Sequence, residues 1–173
     1  MKELMNQEQL SRTMKRMTHE IIERNQDLTD IVLVGILKKG FPLASILKDN
    51  LKRFADVDVP IYALSIHAYR DDLENRILPQ KQHLQIHDKT VILVDDVLYT
   101  GRSVRAAMDA LSDHGRPKNI QLAILIDRGH RELPIRADYI GKNIPTSRHE
   151  KVMVDMEKMS VCVEEITDGQ PNT

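Results

Sequence analysis

The segment from Val91 to Ser103 constrains the fold of this chain more than any other. It reads Val-Ile-Leu-Val-Asp-Asp-Val-Leu-Tyr-Thr-Gly-Arg-Ser. The leading aliphatic residues predict a buried strand that ends in Asp95 and Asp96, and the Thr-Gly-Arg-Ser turn predicts a loop that opens a helix. A strand that passes directly into a helix in this way is the building unit of a parallel sheet. The segment therefore predicts an α/β fold.

Alternating apolar strands and amphipathic helices continue this pattern along the chain. Helices are predicted at about residues 7–25, 41–54 and 101–114, and strands at about 31–36, 59–68, 90–94 and 120–126. Shorter strands are predicted near 139–140, 152–156 and 161–166. Single helices between strands imply right-handed crossovers and a central, mostly parallel sheet flanked by helices. The charged stretch 69–88 predicts a long loop, a length that is usually functional.

Length and composition narrow the class of protein. The 173 residues suit one domain, and aromatic residues make up only 3%, so the core must be aliphatic. The single cysteine, Cys162, excludes a disulfide framework and a multi-cysteine metal site. The longest apolar runs fall well short of the roughly 20 residues that span a bilayer, and the charged N-terminus is unlike a signal peptide. We therefore expect a cytoplasmic protein without a membrane partner.

The residues that follow the strand at 90–94 match the needs of a sugar phosphate. Hydroxyl and backbone N–H groups at a helix N-terminus suit a phosphate monoester, and this loop supplies them from Thr100, Gly101, Arg102 and Ser103. The carboxylates of Asp95 and Asp96 suit a vicinal diol, or a Mg²⁺ ion that holds one. Together they describe a 5-phosphoribosyl site. The alternative is an ordinary strand with an acidic end and a polar turn.

This stretch resembles the phosphoribosyl-diphosphate (PRPP) signature of type I phosphoribosyltransferases. The resemblance implies that the two carboxylates fix the ribose, directly or through Mg²⁺ bound with PRPP. Lys38, Lys39 and Gly40, after the first predicted strand, then resemble the pyrophosphate loop, although Lys-Lys-Gly by itself is more typical of a solvated turn. The sequence Leu-Lys-Lys-Gly-Phe is closer to the corresponding loop of the purine enzymes of this class than to the Thr-Arg-Gly form of pyrimidine regulators.

The long charged loop opens with Tyr69-Arg70-Asp71-Asp72. Beside a PRPP site it resembles a lid that excludes water, because hydrolysis of PRPP is the side reaction to suppress. Arg70 would then contact pyrophosphate as a catalytic residue. A polar surface segment is the alternative.

The run from Asp127 to Ser147, taken with the PRPP motif, is similar to the PyrR family of bifunctional pyrimidine operon regulators and uracil phosphoribosyltransferases. The similarity covers nearly the whole chain and implies the reaction of uracil with PRPP to give UMP and pyrophosphate. It also implies a small hood over the base, formed mainly by residues 127–173 with N-terminal contributions. A second role follows from it, namely RNA-binding attenuation of pyrimidine genes in response to uridine nucleotides such as UMP and UTP.

Tyr99 bears on the choice of base. Purine enzymes of this class carry a carboxylate at the corresponding position, whereas a phenol is a poor general base near neutral pH. Uracil loses its N1 proton with little help, so Tyr99 favours a pyrimidine. Tyr139 and Ile140 are expected to frame the base, and Arg136 is the predicted partner of a base carbonyl, although the same side chain is a candidate for RNA contact.

An RNA surface is predicted on the first helix and the later loop. The family's RNA-binding positions match Arg16, His19, Arg24, Arg131, Arg136 and Lys142. Lys15 stands where the family pattern has threonine. Because the net charge is −1, binding must rest on a local patch, brought together by the fold or by a partner in a homo-oligomer. Arg16 and Arg131 lie outside the phosphoribosyl loop, so their replacement is expected to spare UMP synthesis. The alternative is that the charged face of the first helix is exposed to solvent and binds no RNA.

Two further functions compete with a uracil enzyme that regulates RNA. A purine phosphoribosyltransferase is supported by the Leu-Lys-Lys-Gly-Phe loop and opposed by Tyr99. A regulator that keeps the nucleotide site only as a sensor is opposed by the retention of both acids and of the pyrophosphate loop.

Overall fold

Helices and strands alternate along the chain as predicted. The computed structural model describes residues 1–69 and 83–166. Within them the order is β1 (Lys2–Met5), α1 (Gln7–Arg24), β2 (Ile31–Ile36), α2 (Gly40–Ala55), β3 (Ile61–Leu64), β4 (Thr90–Leu98), α3 (Arg102–Ser112), β5 (Asn119–Asp127), β6 (Tyr139–Asn143), β7 (Glu150–Asp155) and β8 (Ser160–Glu165).

A five-stranded parallel sheet forms the centre of the molecule, with the strand order β3-β2-β4-β5-β6. Alternate residues of the strands face opposite cores, as the period of a strand requires. Leu33 and Ile92 face the core formed with α1 and α2, whereas Val34 and Leu93 face the core formed with α3. The predicted parallel sheet flanked by helices is confirmed, and its functional edge is the carboxyl end of the strands.

Each helix begins and packs for reasons that the sequence contains. Asn6 and Gln9 form a reciprocal capping box at the start of α1, which satisfies two backbone N–H groups of its first turn. The predicted apolar stripe of α1, Leu10, Met14, Met17 and Ile21, is buried. On α3 the helical period predicts that Val104, Ala107, Met108 and Leu111 face the core, and for Met108 this prediction is wrong. Met108 is 36% exposed, because the buried face is instead completed by smaller residues such as Ala106 and Ala110.

A three-stranded antiparallel sheet in the order β1-β8-β7 lies beside the main sheet. Its outer strand β1 was not predicted, because four residues with two charges have no clear period. Pairing with β8 stabilises it, with Lys2 opposite Val163 and Glu3 opposite Cys162. The N-terminus thus joins the C-terminal strands, which is the arrangement expected of the hood.

Two predicted boundaries change in the structure. The strand predicted at 90–94 continues to Leu98, so the two acids lie within it rather than after it. The strand predicted at 59–68 is limited to Ile61–Leu64.

Part of the predicted loop 69–88 is packed into the core. Leu84 and Ile86 are both fully buried beside α3. The backbone N–H of Leu84 donates to Nδ1 of His114 at 3.1 Å, which ties this segment to the residues just after α3. The sequence did not predict this burial, because the few apolar residues of this charged stretch form no clear periodic pattern.

Candidate active site

A cavity of about 600 Å³ opens at the carboxyl edge of the main sheet. This volume lies within the range of small-molecule sites, roughly 300–1,000 Å³. Its wall is formed by the ends of β2 and β4, the loop into α3, and strand β7 of the small sheet. The lining includes Lys38, Lys39, Asp95, Asp96, Tyr99, Thr100, Gly101, Arg102, Ser103, Glu132, Lys151, Val152 and Met153.

Asp95 and Asp96 both line the cavity although they are consecutive in a strand. The pairing of β2 with β4 ends at Gly35 and Val94, so the two acids extend beyond that neighbour. Each carboxylate accepts the backbone N–H of the next residue at 2.8 Å, which fixes its direction. Two carboxylates at one edge form an oxygen donor set of the kind that Mg²⁺ uses together with substrate phosphates.

The loop before α3 has the geometry of a phosphate cradle. Gly101 adopts a φ of 98°, a left-handed conformation that favours glycine, and a Cβ there would also meet Ile135 at 3.3 Å. Thr100 Oγ1 accepts the N–H of Arg102 at 3.3 Å, and Gly101, at the N-cap position of α3, has no side chain that could cap the helix. The positive end of the helix therefore faces the cavity, which favours an anion.

Residues 131–135 hold this loop from behind. Nη1 of Arg131 donates to the carbonyl of Tyr99 at 2.6 Å, and the N–H groups of Glu132 and Leu133 donate to the carbonyl of Thr100 at 2.9 and 3.1 Å. The carboxylate of Glu132 pairs with Nε of Arg102 at 3.1 Å. The conformation of the phosphate loop therefore depends on a segment about thirty residues further along the chain.

Lys38 and Lys39 lie exposed on the opposite wall of the cavity, at the start of α2. The peptide bond between Leu37 and Lys38 is cis. Gly40 is buried and is not a lining residue. A Cβ on it would meet the carbonyl oxygen of Val94 at 2.2 Å, so a glycine is needed here for α2 to approach β4 closely. The two lysines of the predicted pyrophosphate loop thus line the cavity, whereas Gly40 allows α2 to pack closely on β4. Their binding of pyrophosphate stays a prediction.

Tyr99 lines the cavity next to the phosphate loop and contacts the side chains of Arg128 and His130. The guanidinium of Arg128 lies over its ring at 4.1 Å from the centroid, and the ring of His130 meets it edge-on at 5.5 Å. Arg128 and His130 also bind the backbone before β7, through Ser147 and Thr146. Tyr99 therefore connects the main sheet with the small sheet.

The other predicted base contacts lie elsewhere. Tyr139 is almost completely buried, and its hydroxyl donates to Oε1 of Gln121 at 2.5 Å while accepting from Asn25 at 3.1 Å. Gln121 lies towards the amino end of β5, so the phenol points away from the cavity, contrary to the prediction. Burial raises the pKa of Tyr139. Ile140 packs against the core on the α3 side, and Arg136 is exposed and outside the lining.

Some predicted RNA residues are brought together and some are not. Arg16 donates to the carbonyls of Ile140 and Gly141 at 3.2 and 2.5 Å, and Arg24 pairs with Asp138 at 2.7 Å, so both join α1 to the region of β6. Lys142 lies on the same side, in a shallow depression beside Arg12 and Thr13. His19 packs its ring against Phe54 at 4.9 Å.

Arg131 does not belong to this group. Besides the carbonyl of Tyr99, its guanidinium binds the carboxylate of Asp127 at 2.7 Å and the carbonyl of Ile135 at 2.9 Å. The expectation that Arg131 is independent of the phosphoribosyl loop is therefore wrong, because its side chain points into that loop.

Several lining and supporting residues were missed from the sequence. Glu132, Lys151, Val152 and Met153 line the cavity, and Arg128 supports its wall. The alternation of Val152 and Val154 predicted a strand but not its position over the site. Arg70, the predicted lid residue, lies outside the described residues. Within residues 1–69 and 83–166, none of the helices combines the length and apolar character needed to cross a membrane.

Comparison with known proteins agrees with the fold and the cavity. The family model described as a phosphoribosyl transferase domain matches residues 1–157. Among solved structures, a hypoxanthine-guanine phosphoribosyltransferase of Bacillus anthracis covers 96% of this chain and 98% of its own, with a TM-score of 0.75 and 24% identity. The fold and the site define a phosphoribosyltransferase of type I, and the chain belongs to this family.

More similar relatives narrow the family further. The chain is 53% identical to the bifunctional protein PyrR of Enterococcus faecalis over 161 residues, which cover 91% of this chain and 90% of the relative. It is 50% identical to the bifunctional protein PyrR of Haemophilus influenzae over 169 residues, covering 93% and 94%. The chain is thus a member of the PyrR family, as its motifs predicted.

Proposed function

We propose that this protein transfers the 5-phosphoribosyl group of PRPP to N1 of uracil, giving UMP and pyrophosphate. The observation that carries the proposal is the position of Tyr99, which lines the cavity and lies in the chain between Asp95–Asp96 and the loop 100–103. Membership of the PyrR family supports the same reaction.

The proposed roles follow the order of groups around the cavity. The loop 100–103 binds the 5-phosphate at the N-terminus of α3, and Asp95 and Asp96 bind the ribose hydroxyls. The bond from ribose C1 to pyrophosphate breaks with positive charge developing on the ring, which the two carboxylates stabilise. Lys38 and Lys39 offset the charge of the departing pyrophosphate. Mg²⁺, when bound with PRPP at the two carboxylates, would supply further positive charge to that leaving group.

Tyr99 is proposed to form the base side of the site. The ring offers an apolar face for a planar base, whereas the purine enzymes use a carboxylate there. Because the phenol is a poor base near neutral pH, Tyr99 is not expected to remove the N1 proton of uracil, and this position offers no carboxylate to do so. Arg136 and Ile140 are no longer the leading candidates for base contact, since neither lines the cavity.

One assay tests this function. Purified protein with PRPP and Mg²⁺ is given uracil, hypoxanthine, guanine or orotate, and the nucleotide and the pyrophosphate formed are measured. We expect UMP from uracil and no IMP. Formation of IMP without UMP would establish the purine alternative, and UMP binding without turnover would establish a nucleotide sensor instead of an enzyme.

An RNA-binding role is proposed as the second activity, on the surface of α1 and β6. Arg16 and Arg24 join these elements, and Lys142 and Arg136 stand exposed beside them. Within the described part of the chain, the side chains of Lys142 and Arg136 form no hydrogen bond or ion pair, so both cations remain available to phosphate groups. Membership of the PyrR family supports a pyrimidine-operon leader RNA as the partner, with uridine nucleotides as the signal.

The RNA proposal is tested with Lys142→Gln and Arg136→Gln, because neither change removes an internal contact of the fold. Gel-shift titration at fixed salt should show weaker binding of a structured leader RNA by both variants, with UMP synthesis retained. Lys52→Gln on α2 is the matched control, since Lys52 is also exposed and forms a surface ion pair with Asp56 at 2.9 Å. Equal binding of the leader and an unrelated RNA by the wild type would contradict the proposal.

The remaining parts of the proposal concern organisation. We expect one domain over residues 1–173, with the small sheet as part of the hood and Arg70 in a lid over pyrophosphate. The multiply charged substrate does not cross a bilayer unaided, which favours action in the cytoplasm. Light scattering after gel filtration would test the expected homo-oligomer.

A further inference from the structure

Arg128 is the largest side chain that the described part of the fold buries almost completely, with 1% of its surface exposed. It immediately follows β5 at the edge where the cavity opens. Its Nε donates to Oγ1 of Thr146 at 2.9 Å, and its Nη2 donates to the carbonyls of Ser147 and Glu150 at 2.9 and 2.6 Å. One side chain thus holds the whole turn that leads into β7.

A buried guanidinium is expensive to maintain. Removal from water lowers the pKa of Arg128, and only its hydrogen bonds and nearby charge offset that penalty. A leucine or methionine would fill the same volume without this cost. The presence of arginine therefore calls for a task that needs a planar cation with several directed donors.

The guanidinium of Arg128 uses its planar face as well as its N–H donors. It lies over the ring of Tyr99 at 4.1 Å, while its edges hold the turn 146–150. That turn sets the position of β7, whose residues Lys151, Val152 and Met153 line the cavity. His130 repeats the connection, since its ring meets Tyr99 edge-on and its Nε2 is 2.5 Å from the carbonyl of Thr146.

We infer that Arg128 is the positioning residue of the base subsite. It orients the Tyr99 ring with its face and the β7 wall with its edges, so that a planar base fits between them. It is not a lining residue itself and acts through these two groups. The inference rests on the proposed function, because it assigns the Tyr99 side of the cavity to the base.

The test separates binding of the base from binding of the sugar phosphate. UMP needs both subsites, whereas ribose 5-phosphate needs only the acids and the loop 100–103. In Arg128→Lys, which keeps the charge but loses the planar fork, we expect UMP to bind about tenfold more weakly and ribose 5-phosphate to change by less than about twofold. The KM for uracil should rise by a similar factor while the KM for PRPP stays nearly constant.

Thr146→Val provides a second, milder variant. It removes the hydroxyl that accepts from Nε of Arg128 and donates to the carbonyl of Arg128 at 3.3 Å. Valine conserves the shape of the side chain, so this variant can be measured even if Arg128→Lys lowers the yield of folded protein. We expect a selective loss of UMP affinity of about threefold. Arg53→Lys is the matched control, because Arg53 also lies over an aromatic ring, that of Phe54 at 5.2 Å, but on the surface of α2.

The outcomes distinguish the two proposals. If the wild type forms no UMP from uracil and PRPP, the proposed function fails before any variant is compared. If the wild type forms UMP, and the two variants weaken UMP and ribose 5-phosphate equally or leave both unchanged, the role of Arg128 is refuted and the uracil activity stands. Selective loss of the base in both variants, with no change in Arg53→Lys, supports the inference.

Discussion

Replacing Arg131 with methionine should damage the phosphate loop although the residue lies 28 positions after that loop's last member, Ser103. Methionine keeps the unbranched apolar stem of the side chain and removes three directed hydrogen bonds. Those bonds reach the carbonyl of Tyr99, the carboxylate of Asp127 and the carbonyl of Ile135. Only the first belongs to the loop. The other two hold the segment 127–135 that supports it.

The expected magnitude follows from the exposure of these groups. A hydrogen bond to a charged group contributes about 1.5–3 kcal/mol when buried. The side chains of Arg131 and Asp127 are 25% and 13% exposed, so the lower end applies and solvent reduces the ion-pair part further. We therefore expect a total loss of about 3 kcal/mol in the free energy of unfolding. For a chain of this size that corresponds to roughly 6–12 °C in Tm.

The effect on the KM for PRPP depends on the hydrogen bond from Arg131 to the carbonyl of Tyr99. If losing this bond destabilises the ordered conformation of the loop by about 1.4 kcal/mol, the KM for PRPP rises about tenfold, because PRPP must then order the loop as it binds. Steady-state kinetics with PRPP varied, and calorimetric unfolding, measure both quantities. Arg12→Met is the control, since the side chain of Arg12 is 67% exposed and its ion pair with Glu8 is long, at 3.8 Å. An Arg131→Met protein with the wild-type KM for PRPP would refute the argument that this segment supports the loop.

Three other perturbations test separate parts of the structure. Asp95→Asn and Asp96→Asn should each lower turnover at least about tenfold, because each removes charge beside the reacting ribose. Wild-type turnover in both would contradict the site. Tyr139→Phe should lower stability by about 1–2 kcal/mol through its lost buried hydrogen bonds and leave the KM for uracil unchanged. An increased KM would restore Tyr139 to the base site. Burial, and then the nearby His83, lower the pKa of His114, so the folded protein takes up this proton less readily than the unfolded chain. Stability should therefore fall as the pH drops through about 6.5, and urea unfolding of His114→Gln should show a smaller fall than wild type.

The sequence predicts the elements whose signals are local. The apolar run before Asp95, the period of α1 and the turn around Gly101 each lie within a few residues, and the structure follows them closely. Residues 95 to 103 line one continuous wall of the cavity for the same reason. A strand, an acid pair and a helix start that adjoin in the chain must also adjoin in space.

The predictions that failed depend on contacts between distant parts of the chain. Tyr139 was expected to frame the base as part of the hood, but the register of β6 against β5 decides where its ring points, and register cannot be read from a single strand. Arg131 was predicted to bind RNA because it matches one of the family's RNA-binding positions, whereas in the structure it donates to the carbonyl of Tyr99, 32 residues away. A cationic side chain near a strand end gives the same signal in sequence whether it faces solvent or a backbone carbonyl.

The structure also explains how one short segment serves two halves of the site. Between the end of β5 and Arg131, the chain supplies Arg128 to the Tyr99 ring and Arg131 to the Tyr99 carbonyl. The ring faces the proposed base subsite, and the carbonyl begins the phosphate loop. A displacement of residues 127–131 would therefore alter both subsites, whereas a change in Lys38 or Lys39 would reach only the opposite wall. Arg128→Lys and Arg131→Met separate these effects, because one acts on the ring and the other on the backbone of the same residue.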